Sequence, residues 1–297
     1  MKAIRDHQGK AAMLTSASAS SPAPSSTRAD MGTHSRVPPR EGRARAPDGI
    51  PIHYVTAGLG PTAVVLVHSW GYSSAQWQGT IEHLAPSTRV VALDLAGHGE
   101  SGRARKTWTV AAFAQDVKAV VDALGLQRVV LVGHSMGGPI IVDAALAMPG
   151  RVVGLVPVDT LKDLSESPTA EDRAKFFAPL RADFRRNSGD FLRHLFPKDA
   201  DPAVIERVVS QTVASDPAIA IPMLEATFAW PAERVALVNV PIASVQGDLL
   251  PTKVASNRKV APRYQAFTVA GTGHWPMLEK PEAFYAALDQ ALAVAAE

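Results

Sequence analysis

The chain contains no cysteine. Disulfides, thiolate metal sites, iron–sulfur clusters and a catalytic thiol are therefore excluded together, and any nucleophile has to be oxygen or nitrogen. No stretch approaches the ~20 apolar residues of a membrane span, and nothing supplies the apolar core, roughly 7–15 residues long, of a secretory signal peptide. Charge of one sign is scarce as well. The net charge is +2, and its basic surplus lies in the first 45 residues, where eight Lys/Arg stand against three acids. The rest carries 22 Lys/Arg against 25 Asp/Glu. A nucleic-acid-binding body needs a basic face, so no nucleic-acid partner is expected. These absences predict a soluble, cytoplasmic protein whose partner is a small-molecule substrate; they leave its oligomeric state open.

What is present is enough to fold. With 297 residues, 46% of them hydrophobic and 20% charged, the chain has room for one large α/β domain carrying an insertion. Residues 1–47 are rich in Ser, Ala, Pro and Arg, show neither helical nor strand periodicity, and read as a disordered extension. Its removal to about Pro47 is expected to leave activity and melting temperature nearly unchanged.

After Ile52-His53-Tyr54, read as an edge strand, Ala63-Val64-Val65-Leu66-Val67-His68 is short, β-branched and apolar on both faces, as strands buried in a parallel sheet are. The runs at 90–94, 129–133 and 152–158 share this character, and helical patterns over 76–84, 109–124 and 137–148 lie between them. This alternation predicts an α/β fold: a mostly parallel sheet flanked by helices. From 161 to 239 the alternation stops in favour of helical sequence holding six of the nine Phe, after which strands at 242–246 and 264–269 and a helix from about Pro281 resume the pattern. The expected organisation is a core of residues 48–160 and 240–297 with a helical cap, 161–239, inserted late in the chain. The cap's aromatics make either its own core or the lining of an apolar substrate pocket.

The strongest local signal is Gly133-His134-Ser135-Met136-Gly137-Gly138, after a buried strand and at the start of a helix. The pattern G-x-S-x-G in that context lifts a serine hydroxyl out of the sheet on a sharp turn. The phosphate-cradling patterns G-x-x-x-x-G-K-[ST] and G-x-G-x-x-G are both missing from this junction. A serine is a poor nucleophile until a base takes its proton, and an acid must hold that base in the right tautomer. His274, in the loop Gly271-Thr272-Gly273-His274-Trp275-Pro276 after the last strand, is the expected base. For the acid, Asp248 ends the preceding strand and follows the order Ser…Asp…His; Asp159, ending Val156-Pro157-Val158-Asp159, is the competitor. The backbone N–H groups of Met136 and Trp70 are the expected oxyanion donors, with His68 in the Trp70 loop.

Taken jointly, Val67-His68-Ser69-Trp70-Gly71, Asp94-Leu95-Ala96-Gly97-His98-Gly99, Gly133-His134-Ser135-Met136-Gly137-Gly138, Gly247-Asp248 and Gly273-His274 resemble, in order and spacing, the α/β-hydrolase fold from about Ile52 to the C-terminus. The resemblance implies a triad of Ser135, Asp248 and His274, an oxyanion hole at Trp70 and Met136, and a lid made by the insertion. One departure is Ser69, where the family usually has glycine. The reading is a serine hydrolase with neither cofactor nor metal, cleaving carboxylic esters of small to medium apolar acyl groups through an acyl-enzyme. Lactones and carbon–carbon bonds, perhydrolase chemistry, and a non-catalytic ligand receptor that retains the triad are the alternatives.

Overall fold

The computed structural model describes residues 38–297. Most of the expected extension, residues 1–37, lies outside the described part. Its end does not match the expectation: Arg40–Arg45 form a strand, β1. The strand escaped the sequence reading because only Ala44 of its six residues is buried and the others are charged or glycine, so no apolar alternation marks it. Charged residues on an edge strand also discourage pairing with other chains.

The strands β2 (Pro51–Ala57), β3 (Ala63–Val67), β4 (Arg89–Leu93), β5 (Val129–His134), β6 (Val152–Val158), β7 (Ile242–Gly247) and β8 (Tyr264–Val269) complete an eight-stranded sheet of order β1-β2-β4-β3-β5-β6-β7-β8. β1 and β2 pair antiparallel, as do β2 and β4; every later pairing is parallel. Alternate residues of the central strands face opposite sides, as the two-residue period requires. Val65, Val67, Val91, Leu93 and Leu131 pack with α2 (Val110–Ala123) and α3 (Gly137–Ala147). Val64, Leu66, Val90, Val130 and Val132 pack with α1 (Gln78–Leu84) and the C-terminal helix. Both faces are thus covered, which is why these strands read as continuous apolar runs. Each large side chain fully buried there, such as Phe113 or Phe284, contributes about 2 kcal/mol of transfer free energy.

Between β6 and β7 the chain makes α4 (Ala170–Ala182), α5 (Phe184–Arg193), α6 (Pro202–Val213) and α7 (Pro217–Phe228). Their starts are written in the sequence. Thr169 and Asp172 form a reciprocal capping box on α4, and Asp201 and Asp216 cap α6 and α7, each followed by proline in the first turn. The short α8 (Val254–Val260) and α9 (Pro276–Glu279) precede the closing helix α10 (Pro281–Ala295). The insertion touches the loops at the carboxyl ends of the strands: the Trp70 indole N–H donates to Ala220 O of α7 at 2.7 Å, and the His274 N–H donates to Leu195 O at 2.9 Å. No helix among the described residues is long and apolar enough to cross a membrane.

Candidate active site

Ser135 follows β5 directly and has φ of 53°, in the left-handed region that side chains rarely occupy. The turn closes because its flanks are glycine. A Cβ on Gly133 would strike the backbone of Gly137, and one on Gly137 would lie 2.8 Å from Val67 O. Such strain persists only where the surroundings hold it; here Ser135 N–H donates to Val158 O at 3.0 Å, and Gly138 N–H to Ser135 O at 2.9 Å.

His274 comes to this hydroxyl from 139 residues away, with Nε2 at 2.8 Å from Ser135 Oγ. Its Nδ1 lies 2.6 Å from Oδ2 of Asp159. The acid against the imidazole is therefore Asp159 and not Asp248, which corrects the assignment first preferred. β6 lies next to the strand carrying Ser135, whereas β7 is one strand further out. Asp159 also has a left-handed backbone, φ 42°, which turns it back at the carboxyl edge. The Asp248 carboxylate is exposed and spends its oxygens on the N–H groups of Gly271 (2.8 and 3.0 Å) and Thr272 (3.2 Å). Those bonds, the Gly271 one foremost, hold it below the usual carboxylate range. It fastens the loop that presents His274.

Burial would raise the Asp159 carboxyl, but the His274 hydrogen bond and the charges of His274 and Lys162 outweigh it and leave the group below its ordinary value. Oδ1 accepts from Gly247 N–H at 2.9 Å and lies 2.7 Å from the Lys162 ammonium.

The loop around His274 leaves little freedom to the imidazole. Glu279 accepts from the N–H groups of Gly273 and Trp275, at 2.8 and 2.9 Å, bracketing the histidine. His134, the residue before Ser135, donates from Nε2 to His274 O at 2.6 Å. Its Nδ1 accepts from the Gln76 amide at 3.0 Å, and Gln76 Oε1 accepts from both the Ser69 N–H (3.1 Å) and hydroxyl (2.8 Å). Each donor in this buried chain finds one acceptor, which fixes the orientation of the amide and the tautomer of His134. Burial, helped by the neighbouring His274, pushes His134 down to about 3, so it stays neutral. Ser69, the departure from the family's glycine, is thus absorbed by Gln76. Gln76, Glu279 and Lys162 escaped the sequence reading because each acts through partners in other elements; only the i,i+3 spacing of Lys162 from Asp159 was local.

The N–H groups of Trp70 and Met136 donate to no protein acceptor among the described residues. Met136 caps α3, whose N-terminal dipole favours negative charge there. The Trp70 ring packs edge-on against Phe184 of α5 at 5.8 Å. Phe176, Phe177, Phe191 and Phe228 instead pack on one another, so most of the insertion's aromatics form its own core. A cavity of about 200 Å³ lined by Gly71, Tyr72, His98 and Ala220 adjoins the Trp70 loop, but Ser135 does not line it. No group of three or more His, Asp or Glu side chains among the described residues is arranged to hold a metal ion.

Residues 64–287 match the sequence model of the alpha/beta hydrolase family. The chain belongs to that family. Among relatives of this α/β hydrolase, an uncharacterized protein of Mycobacterium tuberculosis is 39% identical over 102 residues, covering 34% of this chain and only 30% of the relative's length. A pimeloyl-[acyl-carrier protein] methyl ester esterase of Yersinia enterocolitica is 29% identical over 247 residues, 78% of this chain and 94% of the relative. An esterase from Thermogutta terrifontis, solved with malate bound, superposes with a TM-score of 0.75 at 22% identity, covering 87% of this chain and 100% of that one. At that identity the likeness speaks for the fold of the α/β hydrolase alone.

Proposed function

We propose that this α/β hydrolase is a serine esterase that works through an acyl-enzyme on Ser135. The observation that carries this reading is the continuous line from Ser135 Oγ through His274 to Asp159, with heavy-atom separations of 2.8 and 2.6 Å. His274 takes the hydroxyl proton as Oγ attacks the ester carbonyl. The negative charge then forming on the carbonyl oxygen is met by the unengaged N–H groups of Trp70 and Met136, a contribution of about 3 kcal/mol per donor in such sites. His274 passes the proton to the departing alkoxide. A water, deprotonated by the same imidazole, releases the acid and restores Ser135. Asp159 holds Nδ1–H and stabilises the imidazolium that forms in both halves.

Turnover of p-nitrophenyl acetate, butyrate and octanoate tests the proposal. The wild type is expected to hydrolyse the shorter esters, and Ser135→Ala to lose at least about 10⁴-fold in kcat. Equal hydrolysis by both proteins would reject Ser135 as the nucleophile.

A further inference from the structure

Lys162 belongs to none of the motifs read from the sequence and makes no hydrogen bond to Ser135 or His274, yet its side chain is aimed at Asp159. The turn after β6 folds back through Leu161, another left-handed residue at φ 52°, and returns Lys162 to Asp159. Its ammonium lies 2.7 Å from Asp159 Oδ1 and donates to Gly247 O at 2.8 Å and Leu250 O at 3.2 Å. All three N–H donors are thus engaged. The lysine and aspartate side chains are only 14% and 5% exposed, so solvent screens the pair little. The backbone on either side is pinned from α8: Asn257 donates to the carbonyls of Leu161 and Lys162, and Lys253 N–H to Lys162 O. The end of β7 therefore serves here as a cage for a cation.

We propose that Lys162 is a positioning residue for the triad: by holding Oδ1 of the Asp159 carboxylate, it fixes the orientation in which Oδ2 meets His274. The proposal rests on the esterase reading given above. The carboxylate divides its work, Oδ2 for the imidazole and Oδ1 for Lys162 and Gly247 N–H. A cation held at Oδ1 keeps the carboxyl group from rotating, so Oδ2 stays on the imidazole. The other titratable groups facing the imidazole are His134 from β5, which is neutral, and Glu279 from α9. Asp248 at the end of β7 binds the same loop. None of these contacts the free oxygen of the acid, which leaves that role to Lys162.

The test is kcat and KM for a p-nitrophenyl ester in wild type, Lys162→Gln, Lys162→Met, Lys162→Arg and Asp159→Asn. A residue that positions the acid acts on the chemical step and not on substrate binding. Removing the charge in Lys162→Gln and Lys162→Met is expected to lower kcat by about tenfold with KM within about twofold of wild type. Lys162→Arg, which keeps the charge, should restore kcat to within about threefold of wild type. Glutamine can still donate to the Gly247 and Leu250 carbonyls, so it decides the matter if the methionine variant does not fold. An unchanged kcat in Lys162→Gln, alongside a large kcat loss in Asp159→Asn, would overturn the role of Lys162 alone. Full activity in Asp159→Asn would instead remove the triad reading on which it rests.

Discussion

Two aspartates close carboxyl-edge strands within reach of the His274 loop, and what separates them is the partner each carboxylate has found. Asp159 binds the imidazole; Asp248 binds backbone N–H groups. Asp159→Asn is expected to lower kcat by about 10⁴-fold, because an amide favours the wrong imidazole tautomer. Asp248→Asn should cost less than about tenfold in kcat and only a few degrees of Tm. Steady-state kinetics on the two variants side by side decides between them, and a larger loss in Asp248→Asn would restore the first assignment. Gln76→Leu makes a second comparison: it strands His134 Nδ1 and both Ser69 donors in the interior, a loss of about 2–3 kcal/mol by urea unfolding. Ser135 and His274 were legible because their signals are local, a glycine-flanked turn after a strand and a glycine-rich loop after the last one. Which carboxylate lies against His274 was not legible. Both aspartates follow apolar strands, and the difference lies in strand order and in one left-handed backbone angle, neither of which a linear pattern displays.

Among the elements, the seven strands from β2 to β8 fall where they were expected, and in β3, β4, β5 and β6 burial on both faces accounts for the Val-rich runs that marked them. β1 was hidden by its charges, and α8 by its shortness. β1 nonetheless covers the β2 edge, buries Ala44, and ties Arg43 to the Glu100 carbonyl at 2.7 Å. Deletion through residue 47 is therefore expected to lower Tm by several degrees, against the expectation for a dispensable tail, while deletion through residue 37 keeps β1. Thermal melts of both truncations check this; equal Tm values would mean that β1 adds nothing. The insertion and the loop after β3 meet at Trp70, whose indole reaches α7. Trp70→Phe removes that hydrogen bond but keeps the ring, and hydrogen exchange in α7 is expected to quicken.

For the molecule as a whole, pH is the lever that reaches the site and the fold together. Burial drives both His98 and His134 down to about 3 from an ordinary 6.5. The unfolded chain then binds more protons than the native state between those values, so stability is full above about 6.5 and is lost as pH falls toward 3. Asp159 and Asp94, held below the usual carboxylate range, add to the loss at the acid end of that window. Two such histidines imply a slope of about 2.7 kcal/mol per pH unit in its interior, and urea midpoints at pH 7.5, 6, 5 and 4.5 should fall accordingly. Constant midpoints would show these rings protonated in the native state. All of this surrounds one claim, that Ser135 carries the acyl group. The direct measurement is labelling with a fluorophosphonate, followed by intact mass and peptide mapping. A single adduct on the peptide containing Ser135, absent in Ser135→Ala and greatly slowed in His274→Ala, is the predicted result; an adduct on another residue, or none on a folded protein, would contradict it.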